Sequence, residues 1–284
     1  MVRGKGPNMN HSSSGEMFEI NGKVAIVTGG AGILCGNMCR FLAGRGVTVA
    51  ILDQNLAAAQ NLADEIRSQG GESIGIACNV LEKNSIEEAV ELVHSKYDYV
   101  DILINGAGGN RPQATTNADQ SFFDLPADAL RWVFDLNLMG TILPSQVIAR
   151  GMASRKQGVI VNISSMNAFR PLTRIAAYSA AKAGVSNFTQ WLAAHLAQEY
   201  SPAIRVNAIA PGFFIGQQNK RLLLNEDGSL TPRGQAILSH TPMGRFGDPD
   251  DLLGTLLWLI SPASQFITGI VVPVDGGFSA YSGV

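Results

Sequence analysis

Cysteine, histidine and long apolar runs are all scarce in this 284-residue chain, and each shortage removes a class of protein. The three cysteines, Cys35, Cys39 and Cys78, are odd in number and lack the spacing of a disulfide framework or a zinc site, which excludes a stapled secreted module and suits a reducing compartment. Cys35 and Cys39, at i and i+4, are read as packing residues. The four histidines, His11, His94, His195 and His240, form no cluster, so no metal is expected; only His240 falls near a segment suited to covering a substrate. The longest apolar helical run, 252–260, is far too short to span a bilayer. Residues 1–17 hold no apolar stretch of signal-peptide length and, being rich in Gly, Asn and Ser, are expected to form a flexible tail. A cytoplasmic protein without membrane attachment is expected. The formal charge of −2, with no basic stripe, gives no footprint for nucleic acid, and no internal repeat is visible.

Apolar content, by contrast, is ample: 46% of residues are hydrophobic, enough for one large core over residues 18–284. Seven strand-like runs, at 23–28, 48–53, 73–78, 101–105, 158–164, 204–209 and 270–274, alternate with helical stretches. That alternation implies right-handed crossovers and an α/β fold with a parallel, doubly wound sheet. Ligands of such sheets lie beyond the C-terminal ends of the strands.

The first run, LysValAlaIleValThr, enters GlyGlyAlaGlyIleLeuCysGly (29–36) and then a helical stretch. Small residues at such a turn let backbone N–H groups and a helix N-terminus approach a pyrophosphate. A glycine-rich turn alone is weak evidence, but the second run ends in Asp53, whose carboxylate suits the adenosine ribose hydroxyls. The plainer alternative for Asp53 is a helix N-cap after a strand.

Ser165 ends the fifth run, and Tyr178 and Lys182 follow in AlaTyrSerAlaAlaLys. Positions i and i+4 share a helix face, so the lysine ammonium can lie near the phenol. A free tyrosine titrates near pH 10, and acid/base work near neutrality requires a shift of roughly 3 units, or about 4 kcal/mol. One cation about 4 Å away at an effective dielectric of about 20 supplies about that much, which predicts a phenol lowered by Lys182. A small-residue core helix that happens to hold one Tyr and one Lys is the alternative reading of that pair.

With these motifs in order the chain resembles the short-chain dehydrogenase/reductase family from about Phe18 to Val284. AsnGlyAlaGly (105–108) is similar to the family loop after the fourth strand, Asn137 to its active-site asparagine, Ser165, Tyr178 and Lys182 to its catalytic set, and AsnAlaIleAlaProGly (207–212) to the turn beside the nicotinamide. The resemblance implies a single Rossmann-type sheet of about seven strands, NAD as cofactor, and a homo-oligomer, dimer or tetramer. It implies cofactor contacts from Gly29, Gly30, Gly32, Ile33, Leu34, Asp53, Asn79, Val80, Asn105, Gly106, Ala107, Tyr178, Lys182, Pro211, Gly212 and Phe214. Asn137 would position a proton-relaying water. Three features depart from the family pattern: in the glycine loop Ile33 and Cys35 stand at usual glycine positions, Asn79 replaces an adenine-contacting aspartate, and Gly216 stands where a threonine commonly meets the carboxamide.

The segments 164–169, 225–231 and 275–284 further resemble the branch of that family acting on D-fructuronate and D-mannonate. A sugar acid needs a cation for its carboxylate, and Arg111, Arg170 and Arg174 follow strand ends or precede Tyr178, although each also suits a plain surface role. Asn167, two residues past Ser165, is placed to meet substrate. The stretch 213–244, with GlnGlnAsn at 217–219 and LysArg at 220–221, is expected to form short helices and a turn as a lid. The expected activity is the interconversion of a keto sugar acid and its secondary alcohol. Alternatives are a family member acting on a gluconate-type, steroid or 3-oxoacyl carbonyl, and, more remotely, a non-catalytic nucleotide sensor.

Overall fold

The computed structural model describes residues 15–216 and 220–283, apart from the Arg221 side chain. Of the expected tail, residues 1–14 lie outside the described part, and Glu16–Phe18 form one helical turn. GlnGlnAsn at 217–219 also lies outside it.

Seven parallel strands form one sheet in the order β3-β2-β1-β4-β5-β6-β7. They are β1 (Val24–Thr28), β2 (Thr48–Asp53), β3 (Ser73–Ala77), β4 (Ile102–Asn105), β5 (Gly158–Ile163), β6 (Ile204–Pro211) and β7 (Val271–Val274). Most Val, Ile and Ala side chains of the central strands are buried because both sheet faces are covered by helices, which is why these runs are largely apolar instead of alternating. One face packs α1 (Ile33–Gly44), α2 (Leu56–Ser68) and α9 (Leu253–Ile260). The other packs α3 (Lys83–His94), α5 (Gly140–Arg155) and α6 (Ala176–Glu199), with α4 (Ala127–Phe134) against α6.

Two short helices, α7 (Lys220–Leu223) and α8 (Pro232–Ser239), lie between β6 and α9. A bridge between Leu224 and Leu230 closes the turn that joins them. Pro232 at the first helical position and the Thr231 hydroxyl, which accepts from Gly234 N at 3.0 Å, start α8 locally. No helix among the described residues is long and apolar enough to cross a membrane.

Candidate active site

The strand order reverses beside β1, between β2 and β4, and the turns leaving these strands meet there. Gly29 adopts φ 61°, and a Cβ on it would lie 2.8 Å from Ala107 Cα, so only glycine lets the turn after β1 lie against the turn after β4. Gly32 caps α1 in extended geometry. The unusual Ile33 leaves the backbone path intact because its side chain, at the first helical residue, is 44% exposed. Cys35 is buried instead, its Sγ directed at Gly106. The close helix-to-strand approach that glycine at 35 would allow is retained by having glycine on the other side of the contact.

Asp53 Oδ2 accepts from Ala31 N at 3.2 Å and Oδ1 from Asn55 N at 2.9 Å, which places the carboxylate at the rim of the glycine turn with lone pairs to spare. N-capping of α2 is done by Asn55, not by Asp53. Asn79 uses Oδ1 to hold Leu81 N (3.1 Å) and Nδ2 to hold Glu82 (2.8 Å), and the neighbouring Val80 packs on Gly140. Asn105, one of the expected cofactor contacts, turns its side chain away from the cleft. Its amide is 1% exposed and donates to Ser145 Oγ and Asn162 Oδ1, because a polar side chain on a central strand must find partners inside the sheet. Gly106 and Ala107 instead border the cleft, both backbone N–H groups meeting Thr28 Oγ1 at 3.1 and 3.4 Å. On the far side, Gly212 N donates to Val274 O, and buried Phe214 pairs with Gly247 after the Pro211–Gly212 turn.

Asn137 sits in a π-helical turn, Asp135–Met139, between α4 and α5, a wide turn that recurs at functional sites. Its Nδ2 donates to Gly109 O (2.7 Å) and Val133 O (2.8 Å), while Oδ1 accepts from Gly109 N (3.1 Å). The fully buried side chain is thereby committed to holding the loop after β4. Gly108 is required at that loop, since a Cβ there would lie 2.7 Å from Asn137 Oδ1 and 3.1 Å from Lys182 Nζ.

Ser165 leaves β5 in extended backbone with Oγ accepting from Asn167 N at 3.2 Å. Tyr178 and Lys182 lie on the first two turns of α6, and Ser165 hydrogen-bonds to the Tyr178 phenol. Lys182 Nζ donates to Ile163 O at 2.7 Å and stands 5.7 Å from the Tyr178 ring centroid. Serine, tyrosine and lysine from β5 and α6 therefore converge on one point. The expected lowering of the phenol is not what the chain produces. Burial pushes Tyr178 above its ordinary value, against the opposing effect of the Ser165 hydrogen bond. Burial also brings Lys182 down to about 8, with the Cys35 thiol pulling it the other way. The chain thus holds Tyr178 as a proton-bearing acid.

The arginines separate. Arg111 lies over the Trp132 ring at 4.4 Å, a cation–π contact. Arg170 Nε donates to Ser279 O at 3.1 Å, anchoring the C-terminal segment instead of pointing free into the cleft. Arg174 is exposed, and no ion pair occupies it among the described residues. Asn167 is 6% exposed with Oδ1 unpartnered. His240 bonds Ala236 O through Nδ1 (2.8 Å) and meets Tyr281 edge-on, while His195 stacks on Trp191 at 4.8 Å. The cysteines are buried thiols, Cys35 pushed up to about 12 and Cys78 to about 11 by burial. Among the described residues no group of His, Cys, Asp and Glu is arranged to hold a metal.

These features fit a dinucleotide: a turn that a Cβ at Gly29 would block, and a carboxylate at the end of β2 beside it. Comparison with known proteins gives the class. The short chain dehydrogenase model matches residues 23–226. The Bacillus subtilis protein called uncharacterized oxidoreductase UxuB is 48% identical over 272 residues, covering 93% of this chain and 97% of that one. A crystal structure from Haemophilus influenzae with bound NAD, provisionally named a D-mannonate oxidoreductase, is 47% identical and superposes with a TM-score of 0.88 over 94% of this chain and 98% of that one. The 7alpha-hydroxysteroid dehydrogenase of Escherichia coli K12 is 31% identical over 261 residues, 92% of this chain and 95% of its own. The chain belongs to the short-chain dehydrogenase family, and it is an oxidoreductase.

Proposed function

We propose that the chain is an NAD(H)-dependent reductase of keto sugar acids, interconverting D-fructuronate and D-mannonate. The observation that carries the reaction type is the convergence of Ser165, Tyr178 and Lys182 beside the glycine turn. The Haemophilus relative's provisional name and its bound NAD support the substrate and the cofactor.

When bound, the nicotinamide supplies the hydride that arrives at, or leaves, the substrate carbon. Tyr178 donates its phenolic proton to the substrate oxygen, for which a raised pKa keeps the donor loaded. The Ser165 hydroxyl polarises the same oxygen. Lys182, charged below about pH 8, favours proton loss from the phenol when the reaction asks for it, and Ile163 O fixes its Nζ. Asn137 holds Gly109 and so fixes the loop on which Gly106 and Ala107 would border the cofactor. Pro211, Gly212 and Phe214 would close the nicotinamide side, and Gly29, Gly30, Gly32, Ile33 and Leu34 would face the pyrophosphate with their backbone and flank. Val80 would cover the adenine, which the remaining lone pair and N–H of Asn79 can meet.

NAD over NADP follows from charge. Asp53 would repel a 2′-phosphate, and Arg40, the cation on the helix after the glycine turn, is bound bidentately by Glu65 at 2.7 Å on both arms. Residues 213–244 would act as the lid over an 18–284 catalytic domain. Buried free thiols suit the cytoplasm. Exposed Trp191, stacked on half-buried Phe188 and His195 along α6, supports a homo-oligomer.

The reading is tested by incubating the protein with NADH and a panel of keto sugar acids, steroids and 3-oxoacyl esters while following absorbance. Oxidation of NADH by fructuronate above all others is expected. Preferential turnover of a steroid or acyl substrate would replace the sugar-acid reading with another member of the family.

A further inference from the structure

Behind the rim that holds Asp53 lies an open hollow of about 540 Å³ between α1 and α2. Ala31 and Gly32 of the glycine turn line its near end, Ala58 and Asn61 one side, and Arg40 and Glu65, farther along the two helices, its far end. Two bonds tie Asp53 to this space. Its Oδ2 accepts from Ala31 N at 3.2 Å, and its Oδ1 accepts from Asn55 N at 2.9 Å, while Asn55 Oδ1 accepts from Ala58 N at 3.1 Å. The carboxylate that would meet the adenosine ribose therefore sits on the lip of the hollow, since Ala31 and Ala58 both border it.

An anion would suit this place but for two groups. α1 and α2 both start at the lip, capped by Gly32 and Asn55, and so present two positive dipole ends there. Arg40 reaches back along α1: a Cβ on Gly36 would lie 3.5 Å from its Nη1, which puts the guanidinium against the glycine segment. The two opposing groups are carboxylates. Asp53 stands at the lip, and Glu65 takes Arg40 Nε through Oε1 and Nη2 through Oε2, both at 2.7 Å. Nε and Nη2 form a fork with which a guanidinium grips a phosphate, so Glu65 occupies the edge of Arg40 that a phosphate would need. With side chains 43% and 41% exposed, the pair adds little stability, and the fold should survive its loss.

We propose that Glu65 is a second cofactor-specificity residue, which keeps Arg40 from binding the 2′-phosphate of NADP in the hollow beside Asp53. The assignment rests on the NAD reading above and adds a determinant outside the ribose contacts. Asp53 repels the phosphate by its charge, and Glu65 withholds the cation that would bind it. Removal of Asp53 alone leaves Arg40 engaged, so both carboxylates must go before the phosphate gains a partner.

Calorimetric titration of 5′-AMP and of 2′,5′-ADP, which differ only in the 2′-phosphate, tests this without turnover. The parent should bind 5′-AMP the more tightly. Glu65→Gln should improve 2′,5′-ADP affinity about fivefold or more and leave 5′-AMP affinity within about threefold. The double variant Asp53→Ala with Glu65→Gln should bind 2′,5′-ADP at least as tightly as 5′-AMP, and Asp53→Ala alone should fall short of that. In an Arg40→Leu background, Glu65→Gln should improve 2′,5′-ADP affinity less than about twofold, because the cation it releases is gone. Unchanged 2′,5′-ADP affinity when Glu65→Gln is added to the parent or to Asp53→Ala, with the fold intact by circular dichroism, overturns the proposal and leaves the NAD reading standing. An undiminished gain in the Arg40→Leu background also overturns it, since Glu65 would then act by its own charge. A parent that binds 2′,5′-ADP more tightly than 5′-AMP overturns both.

Discussion

The Cys35 thiol occupies the space that a side chain at Gly106 would need: a Cβ built at 106 would stand 2.1 Å from Cys35 Sγ and 2.9 Å from Thr28 O. The two residues are complementary halves of one contact between α1 and the turn after β4, with the bulk on the helix and the gap on the strand.

Gly106→Ala should accordingly destabilise the protein by about 1–3 kcal/mol, the usual cost of overpacking a close contact. Cys35→Ala alone should cost less, and the double variant should recover part of the Gly106→Ala loss, though the Thr28 carbonyl keeps it from recovering all. Urea unfolding of the four proteins gives the coupling energy directly. Strictly additive losses would mean that the two residues do not share this contact.

Tyr178→Phe keeps the ring and its packing but removes the only proton that Ser165 and Lys182 converge on. Turnover should fall by roughly 10²-fold or more, with NADH affinity unchanged by fluorescence titration. A correctly folded variant that retains parental kcat would remove Tyr178 from the chemistry.

Lys182 makes a pH prediction whose sign can be worked through. In the folded chain it titrates near about 8 against 10.5 for the free side chain, so on raising the pH the native state gives up this proton first. Stability grows with pH wherever the unfolded state binds more protons, so the burial cost is present in full below pH 8 and fades as pH rises to 10.5. Lys182→Met should therefore be more stable than the parent at pH 7, by about 1–3 kcal/mol once the lost bond to Ile163 O is counted, and should lose that advantage by pH 10.5. It should also be nearly inactive. Denaturant midpoints at pH 7 and 10.5 decide it, and a variant less stable than the parent at pH 7 contradicts it.

Asp53 predicts cofactor choice. NADH should exceed NADPH in kcat/KM by at least tenfold, about 1.4 kcal/mol, and Asp53→Ala should narrow that ratio while lowering kcat/KM with NADH, because Ala31 N loses its acceptor. Parental protein that uses NADPH as well as NADH would show that the carboxylate does not face the ribose.

Much of this was legible in the residues because it is local. The runs that became β2 and β4 to β7 carried their identity in predominantly apolar residues, and the ends of those runs placed Asp53, Ser165 and Pro211 within a residue or two of where the strands stop. Tyr178 and Lys182 share a helix face by spacing alone. The short helices α7 and α8 were also foreshadowed by a strand-free stretch with a turn at AsnGluAspGlySer, which the Leu224–Leu230 bridge closes.

What the spacing could not supply is whatever depends on the surroundings of a side chain. Asn105 looked like a cleft residue, but its position on a central strand turned the amide into the core toward Asn162. Arg170 looked free until the C-terminal segment, more than a hundred residues later, brought Ser279 O to it. Tyr178 was expected to be lowered by its lysine, yet desolvation raises the phenol against the Ser165 hydrogen bond and lowers Lys182 as well, a balance set by burial and not by sequence distance. The sequence by itself determined the sheet, the glycine turn after the first strand and the shared helix face of Tyr178 and Lys182, because these follow from periodicity and short spacings. Tertiary structure alone decided which cations remain unpaired and which polar groups lie out of water, because pairing and desolvation are properties of neighbours that the chain order does not specify.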